Sequence, residues 1–113
     1  MAASNIVNIE VNQRSSFELK FNLIENGAVA NLTNYSVSAK FKSDYFAPDD
    51  QAVAFTSSVS TPGTGEITIS LTATQTTALI PNQRYVYDVV IANNAGFKTR
   101  VVEGYMKASP GVA

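Results

Sequence analysis

Residues 85–107 read YVYDVVIA, NNAG and FKTRVVEGYMK, and they carry the strongest hairpin signal in the sequence. Two long runs of β-forming residues flank a polar turn that ends in Gly96, a pattern typical of a β-hairpin. Both faces of the first run are mostly apolar, which predicts a strand in the middle of a sheet with cover on each side. In the second run, basic residues at 98 and 100 alternate with Phe97, Thr99 and Val101, which predicts one solvent-facing side.

Apolar alternation outside this hairpin predicts further strands over residues 6–11, 17–23, 35–42, 52–59 and 66–71. After the last of these, Thr72 and Gln75 have the spacing of a capping box. We therefore expect one or two helical turns that end near Ile80, because Pro81 disfavours helix in the residue before it. Gly104, inside the final run, is expected to mark a β-bulge.

These elements predict an all-β protein, specifically an immunoglobulin-like β-sandwich of about seven antiparallel strands with one short helix before the sixth strand. Residues 79–85 resemble a tyrosine corner, in which a Tyr at the start of the sixth strand bonds back to the upstream backbone. This resemblance favours a sandwich over a closed barrel. The length of 113 residues predicts a single domain, 1–113, whose tail at about 108–113 is frayed because it is small and contains Pro and Gly.

The amino-acid composition argues against several classes of function. The chain has no Cys, hence no disulfide, and no His, the commonest metal ligand and general base. Its eight basic and nine acidic residues are spread along the sequence without a basic stripe, which argues against nucleic-acid binding. The N-terminus lacks the pattern of a secretory signal and no apolar run is long enough for a membrane span, so we expect synthesis in a cytoplasm and no membrane partner.

Charged residues make up 15% of the chain, and hydroxyl and amide side chains replace them on the expected surface. Soluble domains carry about 25% charged residues on average. A low-charge exterior of this kind is typical of a protein that is packed against neighbouring subunits.

Few residues are candidates for chemistry. The cluster of Asp44, Asp49 and Asp50 has too few oxygens in the wrong order for a known calcium loop, which favours a solvated loop over a metal site. Asp88, inside an apolar strand, is either an acid with a raised pKa, or a hydrogen-bonding group at a sheet rim, or simply exposed. No nucleophile motif and no phosphate-binding glycine loop occurs, so we expect no catalytic, cofactor-binding or metal residue and no enzyme activity.

The long irregular stretch over residues 43–51 is the candidate contact loop. Tyr45 and Phe46 near its tip are costly to expose, so they either fold back as a lid on the core or anchor a partner. The candidate partner-contact residues are Tyr45, Phe46, Asp49 and Asp50. A second candidate is a sugar-stacking platform formed by Tyr85, Tyr87 and Tyr105, for which cross-strand core packing is the alternative.

The segment LIPNQRYVYDVVIANNAG resembles the end of fibronectin type III modules. Leu79, Pro81, Tyr85 and Gly96 match the more specific positions of that pattern, over a small part of the chain. The Trp that such modules carry in their second strand is absent, because the chain contains no Trp. This resemblance supports the sandwich wiring and does not imply a cell-surface role.

A second resemblance spans nearly all the chain and is to small phage virion proteins, in particular the N-terminal domain of baseplate upper proteins. The matching segments, in order, are an opening strand, the turn at Glu25-Asn26-Gly27, Leu32-Thr33, the run GEITISLT at 65–72, a short helix, YVYDVVI at 85–91 and RVVEG at 100–104. Their order and spacing carry the resemblance more than any one motif. Baseplate upper proteins continue into further segments, whereas this sequence ends after Ala113.

This resemblance implies a non-enzymatic structural protein of the virion, made in the host cytoplasm and placed in the tail, baseplate or connector. Its partners would be other virion proteins, with a homo-oligomer as a further possibility. Two alternatives remain open from sequence: a capsid decoration or head-fibre protein, and a carbohydrate-binding adhesion module that uses the tyrosine face or the loop.

Overall fold

The computed structural model describes residues 5–25 and 27–112, without the side chains of Glu25 and Asp49. The described residues form two packed sheets, a separate pair of short strands, one α-helix and two short 3-10 turns, so the predicted all-β class is confirmed. The strands in chain order are β1 (Asn5–Ile6), β2 (Ile9–Asn12), β3 (Phe17–Asn22), β4 (Ile24–Glu25), β5 (Ala28–Val29), β6 (Ser36–Lys42), β7 (Val53–Ala54), β8 (Thr56–Thr61), β9 (Glu66–Leu71), β10 (Arg84–Ala92) and β11 (Lys98–Ser109). The helix α1 is Ala73–Thr77, and the 3-10 turns are Asp49–Gln51 and Pro62–Thr64.

The first sheet has the order β1, β11, β10, β6, β7, with β2 also paired to β11. The second sheet has the order β3, β9, β8, and β4 pairs with β5 as a separate hairpin. The prediction that β10 lies in the middle of a sheet is confirmed, since it pairs with β11 on one side and β6 on the other. The expected cover on each side is complete on the inner face only, because Asp88, Val90 and Ala92 on the outer face are half-buried. None of the described helices is long and apolar enough to cross a membrane.

The observed strands differ from the predicted strands in their number and, at the N-terminus, in their pairing direction. The runs at 6–11 and 52–59 are each split into two strands, and the β4–β5 hairpin arises where a turn and a polar link were expected. The expectation of antiparallel strands throughout is wrong at the N-terminus, where β1 and β2 both pair with β11 in parallel. No hairpin joins these strands, because most of the chain lies between them, so the pairing direction is not fixed by a local turn.

The core lies between the inner faces of the two sheets. Odd-numbered residues of β10 face odd-numbered residues of β9 across it, and all of them are almost completely buried: Tyr85, Tyr87, Val89, Ile91, Ile67, Ile69 and Leu71. Phe55, between β7 and β8, lies at the centre of an aromatic cluster, with ring centroids 5.4 Å from Phe41 and 6.1 Å from Tyr87. Edge-to-face packing of this kind adds to the hydrophobic gain of burying the rings.

Two buried tyrosines of β10 use their hydroxyl groups to fix neighbouring segments. The Tyr85 hydroxyl accepts a hydrogen bond from the Ile80 backbone N–H at 2.9 Å, which is the bond expected of a tyrosine corner. The Tyr87 hydroxyl donates to the Val7 carbonyl at 2.6 Å. Burial raises the pKa of Tyr87 to about 12, because the phenolate would lose its hydration.

The capping box is confirmed at the start of α1. The Thr72 hydroxyl accepts from the Gln75 backbone N–H, and the Gln75 side chain accepts from the Thr72 backbone N–H at 2.8 Å. The helix ends at Thr77, and the fully buried Thr76 donates its hydroxyl to the Ser15 carbonyl at 2.8 Å. This bond joins the crossover between the two sheets to the turn before β3.

The absence of a side chain at Gly104 allows another segment of the chain to approach β11 closely. The expected β-bulge is not at this residue. The register shift between β10 and β11 lies at Val89/Val90 instead. Opposite Gly104, the chain between β1 and β2 passes so close that a Cβ would overlap the Val7 carbonyl group. The Val7 N–H still donates to the Glu103 carbonyl at 2.9 Å, so the missing side chain keeps the parallel edge attached.

The tail is shorter than expected. Strand β11 continues to Ser109, with Ala108 fully buried and its N–H donating to the Gln83 carbonyl at 3.1 Å. Residues 108 and 109 are therefore part of the sheet and not of a frayed end. The sequence did not indicate this because the partner of Ala108 in the sheet is Val11, at the far end of the chain.

We predict that Gly104→Ala lowers the free energy of unfolding by about 2 kcal/mol, because the added methyl must displace the edge strands. Urea denaturation followed by tyrosine fluorescence measures this loss. Gly63→Ala is the matched control, since nothing lies within 4 Å of the position of its new Cβ. Equal stability of the two variants would show that the edge at Val7 is not held as described.

Candidate functional site

The loop over residues 43–51 joins β6 to β7, and hydrogen bonds fix its shape. The Asp44 carboxylate accepts from the Phe46 N–H at 2.8 Å, and the Asp44 carbonyl accepts from the Ala47 N–H at 3.2 Å. The Lys42 ammonium donates to the Ala47 carbonyl at 3.1 Å. An Asx turn of this kind sets the backbone locally, so the loop has a defined conformation without a partner.

The two aromatic side chains at the loop tip, Tyr45 and Phe46, are exposed to different extents. Phe46 is 98% exposed, so the prediction that it folds back as a lid on the core is wrong for this residue. Tyr45 is 55% exposed and leans over the outer face of the first sheet. The carboxylate of Asp50 is exposed at the end of the loop, and the side chain of Asp49 lies outside the described part of the chain.

A surface cavity of about 330 Å³ lies between this loop and the first sheet. It is open on the outer side of the sheet, away from the core. Its lining combines apolar groups with charged side chains whose stems contribute methylene surface: Lys40, Lys42, Tyr45, Ala52, Val86, Tyr87 and Asp88. A cavity of this size lies at the lower end of the range for small-ligand sites, which begins at about 300 Å³.

The outer face of the first sheet collects most of the positive charge. The register places six of the eight basic residues of the chain on this face: Lys40, Lys42, Arg84, Lys98, Arg100 and Lys107. Three acidic residues share it, namely Glu10, Asp88 and Glu103. The sequence shows no basic stripe, but the fold brings these cations to one face, because strands that are distant in sequence bring their outward positions together.

Asp88 lies at the centre of this face. It is opposite Glu103 on β11 and Lys40 on β6, and Arg100 lies 3.9 Å from its carboxylate and 3.8 Å from that of Glu103. Burial raises the pKa of Asp88 above its ordinary value, with Glu103 acting in the same direction. Arg100 and Lys42 lower it. The raised pKa agrees with the first sequence alternative, but Asp88 lies in the middle of the sheet and not at its rim, and its carboxylate is paired with Arg100.

The three tyrosines proposed as a sugar platform do not share a face. Tyr85 and Tyr87 are buried in the core, whereas Tyr105 is 45% exposed on the outer side of the sheet. The Arg84 guanidinium lies 5.0 Å from the centre of the Tyr105 ring, as in a cation–π pair. Strand alternation explains the difference, since Tyr105 is opposite Val86 and not opposite a core position of β10.

Among the residues that the structure describes, no group of three or more acidic side chains is placed to hold a metal ion. The Asp44 carboxylate is instead used within the loop, as the acceptor for Phe46.

The opposite end of the sandwich exposes a second apolar group that sequence reasoning missed. Phe97 is 70% exposed beside the β10–β11 turn, although its alternation pattern predicted burial. The Asn93 side chain closes this turn by accepting from the N–H groups of Ala95 and Phe97 at 2.9 and 3.0 Å. The strand begins only at Lys98, so Phe97 belongs to the turn and the alternation does not extend to it.

The sequence matches no protein-family model and no curated protein.

We predict that Arg100→Gln raises the pKa of Asp88 further, since the guanidinium is the stronger of the two lowering groups. Because the folded pKa exceeds the unfolded value, Asp88 favours folding most at low pH, and this contribution falls as pH rises from the unfolded to the folded pKa. The variant should therefore lose stability at neutral pH, with the deficit narrowing as pH falls through the raised pKa. Carboxyl-carbon NMR titration and urea denaturation across pH measure both effects.

Lys20→Gln is the control for this prediction, because Lys20 lies on an exposed position of the second sheet. It should leave the titration of Asp88 unchanged. An unaltered Asp88 titration in Arg100→Gln would show that the ion pair has no electrostatic effect in solution.

Proposed function

We propose that the two sheets have immunoglobulin-like wiring. In that fold one sheet contains the second, fifth and fourth strands in that spatial order, and the other contains the third, sixth and seventh. The order β3, β9, β8 in one sheet and β6, β10, β11 in the other supports this assignment. The Tyr85 bond to Ile80 supports it as well, since it lies where the chain crosses into the sixth strand of such sandwiches.

We propose further that the protein is a non-enzymatic structural module of a bacteriophage particle, in the tail, baseplate or connector. The resemblance to the N-terminal domain of baseplate upper proteins supports the class of particle. The observation that carries the role of contact module is the exposed ring of Phe46 on a hydrogen-bonded loop. Large apolar groups presented in this way are favoured at the centres of protein interfaces.

The fold is suited to such a role because the loop stands on a rigid frame. Both ends of the 43–51 loop are anchored in the first sheet, by β6 and β7, which pair with each other at Lys40/Ala54 and Phe41/Val53. Since the loop is already ordered, little conformational entropy is lost when it meets a neighbour. Other virion proteins are the partners that this proposal names.

Capsid decoration is the second candidate within the same particle class, and it uses the same surface features. Because the three tyrosines do not form a platform, the adhesion alternative now depends only on the loop and its cavity. Addition of the pure protein to particles that lack it separates the first two, since a decoration protein binds a preformed capsid lattice. Binding across a broad glycan array would favour the adhesion alternative.

We predict that Tyr45→Ala with Phe46→Ala reduces incorporation into particles by about tenfold or more, the effect of removing an aromatic interface anchor. The unfolding free energy should stay close to that of the wild type, because both rings are largely outside the core. Incorporation is measured by quantitative mass spectrometry of purified particles. Phe97→Ala, at the other end of the domain, is the control.

Wild-type incorporation of the double variant would exclude the loop as the contact element. Loss of folding in the double variant would instead assign the two rings a role in the core.

A further inference from the structure

We infer that two copies of this chain associate by a reciprocal exchange, in which Phe46 of each copy occupies the outer-face cavity of the other. This inference rests on the proposed role of the 43–51 loop as a contact element, and it names a second copy as the neighbour. Size, charge and position in the fold support it separately.

The first argument is the exposed ring. Burying a Phe side chain that is 98% exposed removes a large apolar surface from water, which favours association. The Phe46 backbone N–H donates to the Asp44 carboxylate, so the backbone that carries the ring is fixed before binding. A ring presented in this way is a suitable anchor for a pocket.

The second argument is the fit between the ring and the cavity. The cavity of about 330 Å³ is larger than one phenyl ring and is lined by Ala52, Val86 and the ring of Tyr45. The methylene stems of Lys40 and Lys42 contribute to its walls, and the Lys42 ammonium donates to the Ala47 carbonyl of the same chain. A phenyl ring from a second copy would therefore meet mainly apolar side-chain surface in this cavity, whose lining also includes Asp88.

The third argument is charge complementarity within one chain. The loop 43–51 carries three Asp and no Lys or Arg, for a formal charge of −3. The outer face carries six cations and three acids, for a formal charge of 6 − 3 = +3. The whole chain has a net charge of −1, so two copies repel each other only weakly while these patches attract.

The fourth argument is that the loop and the cavity adjoin. Tyr45 belongs to both, since it neighbours Phe46 in sequence and lines the cavity. A twofold axis beside the loop can therefore place each Phe46 in the other copy's cavity at the same time. Such an isologous contact closes on itself and gives a dimer instead of a filament.

Cysteine crosslinking tests this geometry directly, because the natural chain has no Cys. Phe46→Cys and Ala52→Cys proteins, prepared separately and mixed, should form a disulfide between the two variants under mild oxidation. Phe97→Cys mixed with Ala52→Cys is the matched control and should remain uncrosslinked. Equal crosslinking of both mixtures would overturn the proposed contact.

Sedimentation velocity over a dilution series tests the energetics. The wild type should form a dimer, and Phe46→Ala should raise its dissociation constant about tenfold or more. Lys40→Glu and Asp50→Lys should each weaken the dimer, and the double variant should recover part of the loss by restoring opposite charges. A wild-type monomer at every concentration, or a dimer unaffected by Phe46→Ala, would overturn the inference.

These outcomes are separable from failure of the proposed function, since both assays use the purified protein without particles. A monomer that still enters particles through Phe46 contradicts only the dimer. A dimer that never enters particles contradicts the virion role and leaves the exchange intact. A wild-type monomer that binds an acidic peptide or an oligonucleotide in the cavity would assign the face to that ligand instead.

Discussion

The burial of one face of β10 is the constraint on which the rest of the structure depends. The strand is paired on both sides, and Tyr85, Tyr87, Val89 and Ile91 fill the core between the sheets. A slip of one residue would move these four side chains outward and place Asp88 in the core. The same register that secures the core therefore determines which charged groups form the outer face.

The ends of this strand are joined to the rest of the chain through tyrosine hydroxyls. Tyr85 holds the segment that follows α1, and Tyr87 holds the N-terminal edge at Val7. That edge can approach only because residue 104 has no side chain. Neighbouring residues of one strand thus link the core, the crossover between the sheets and the parallel edge. The loop at the end of β6 is therefore attached to a fixed support.

The sequence predicted the structural features that depend on neighbouring residues. It did not predict those that depend on contacts between residues distant in the chain. Strict alternation identified β3 and β9, and the spacing of Thr72 and Gln75 identified the start of α1, because each signal lies within a few residues. The parallel edge and the burial of Ala108 involve strands from opposite ends of the chain, so no local pattern indicates them. The basic face was missed for the same reason, since its six cations come from three strands. Within the candidate loop, aromatic composition identified Tyr45 and Phe46, but only the structure shows that Phe46 is almost fully exposed while Tyr45 is partly covered.

A rigid two-sheet frame presents an ordered loop whose backbone at Phe46 is fixed before any neighbour binds. Backbone ¹⁵N relaxation at 44–47 in the dilute protein measures this order. We expect order parameters near those of β6, about 0.85, because the Asp44 carboxylate and carbonyl hold the N–H groups of Phe46 and Ala47. Values below about 0.6 would show a flexible loop and would exclude a preformed contact element.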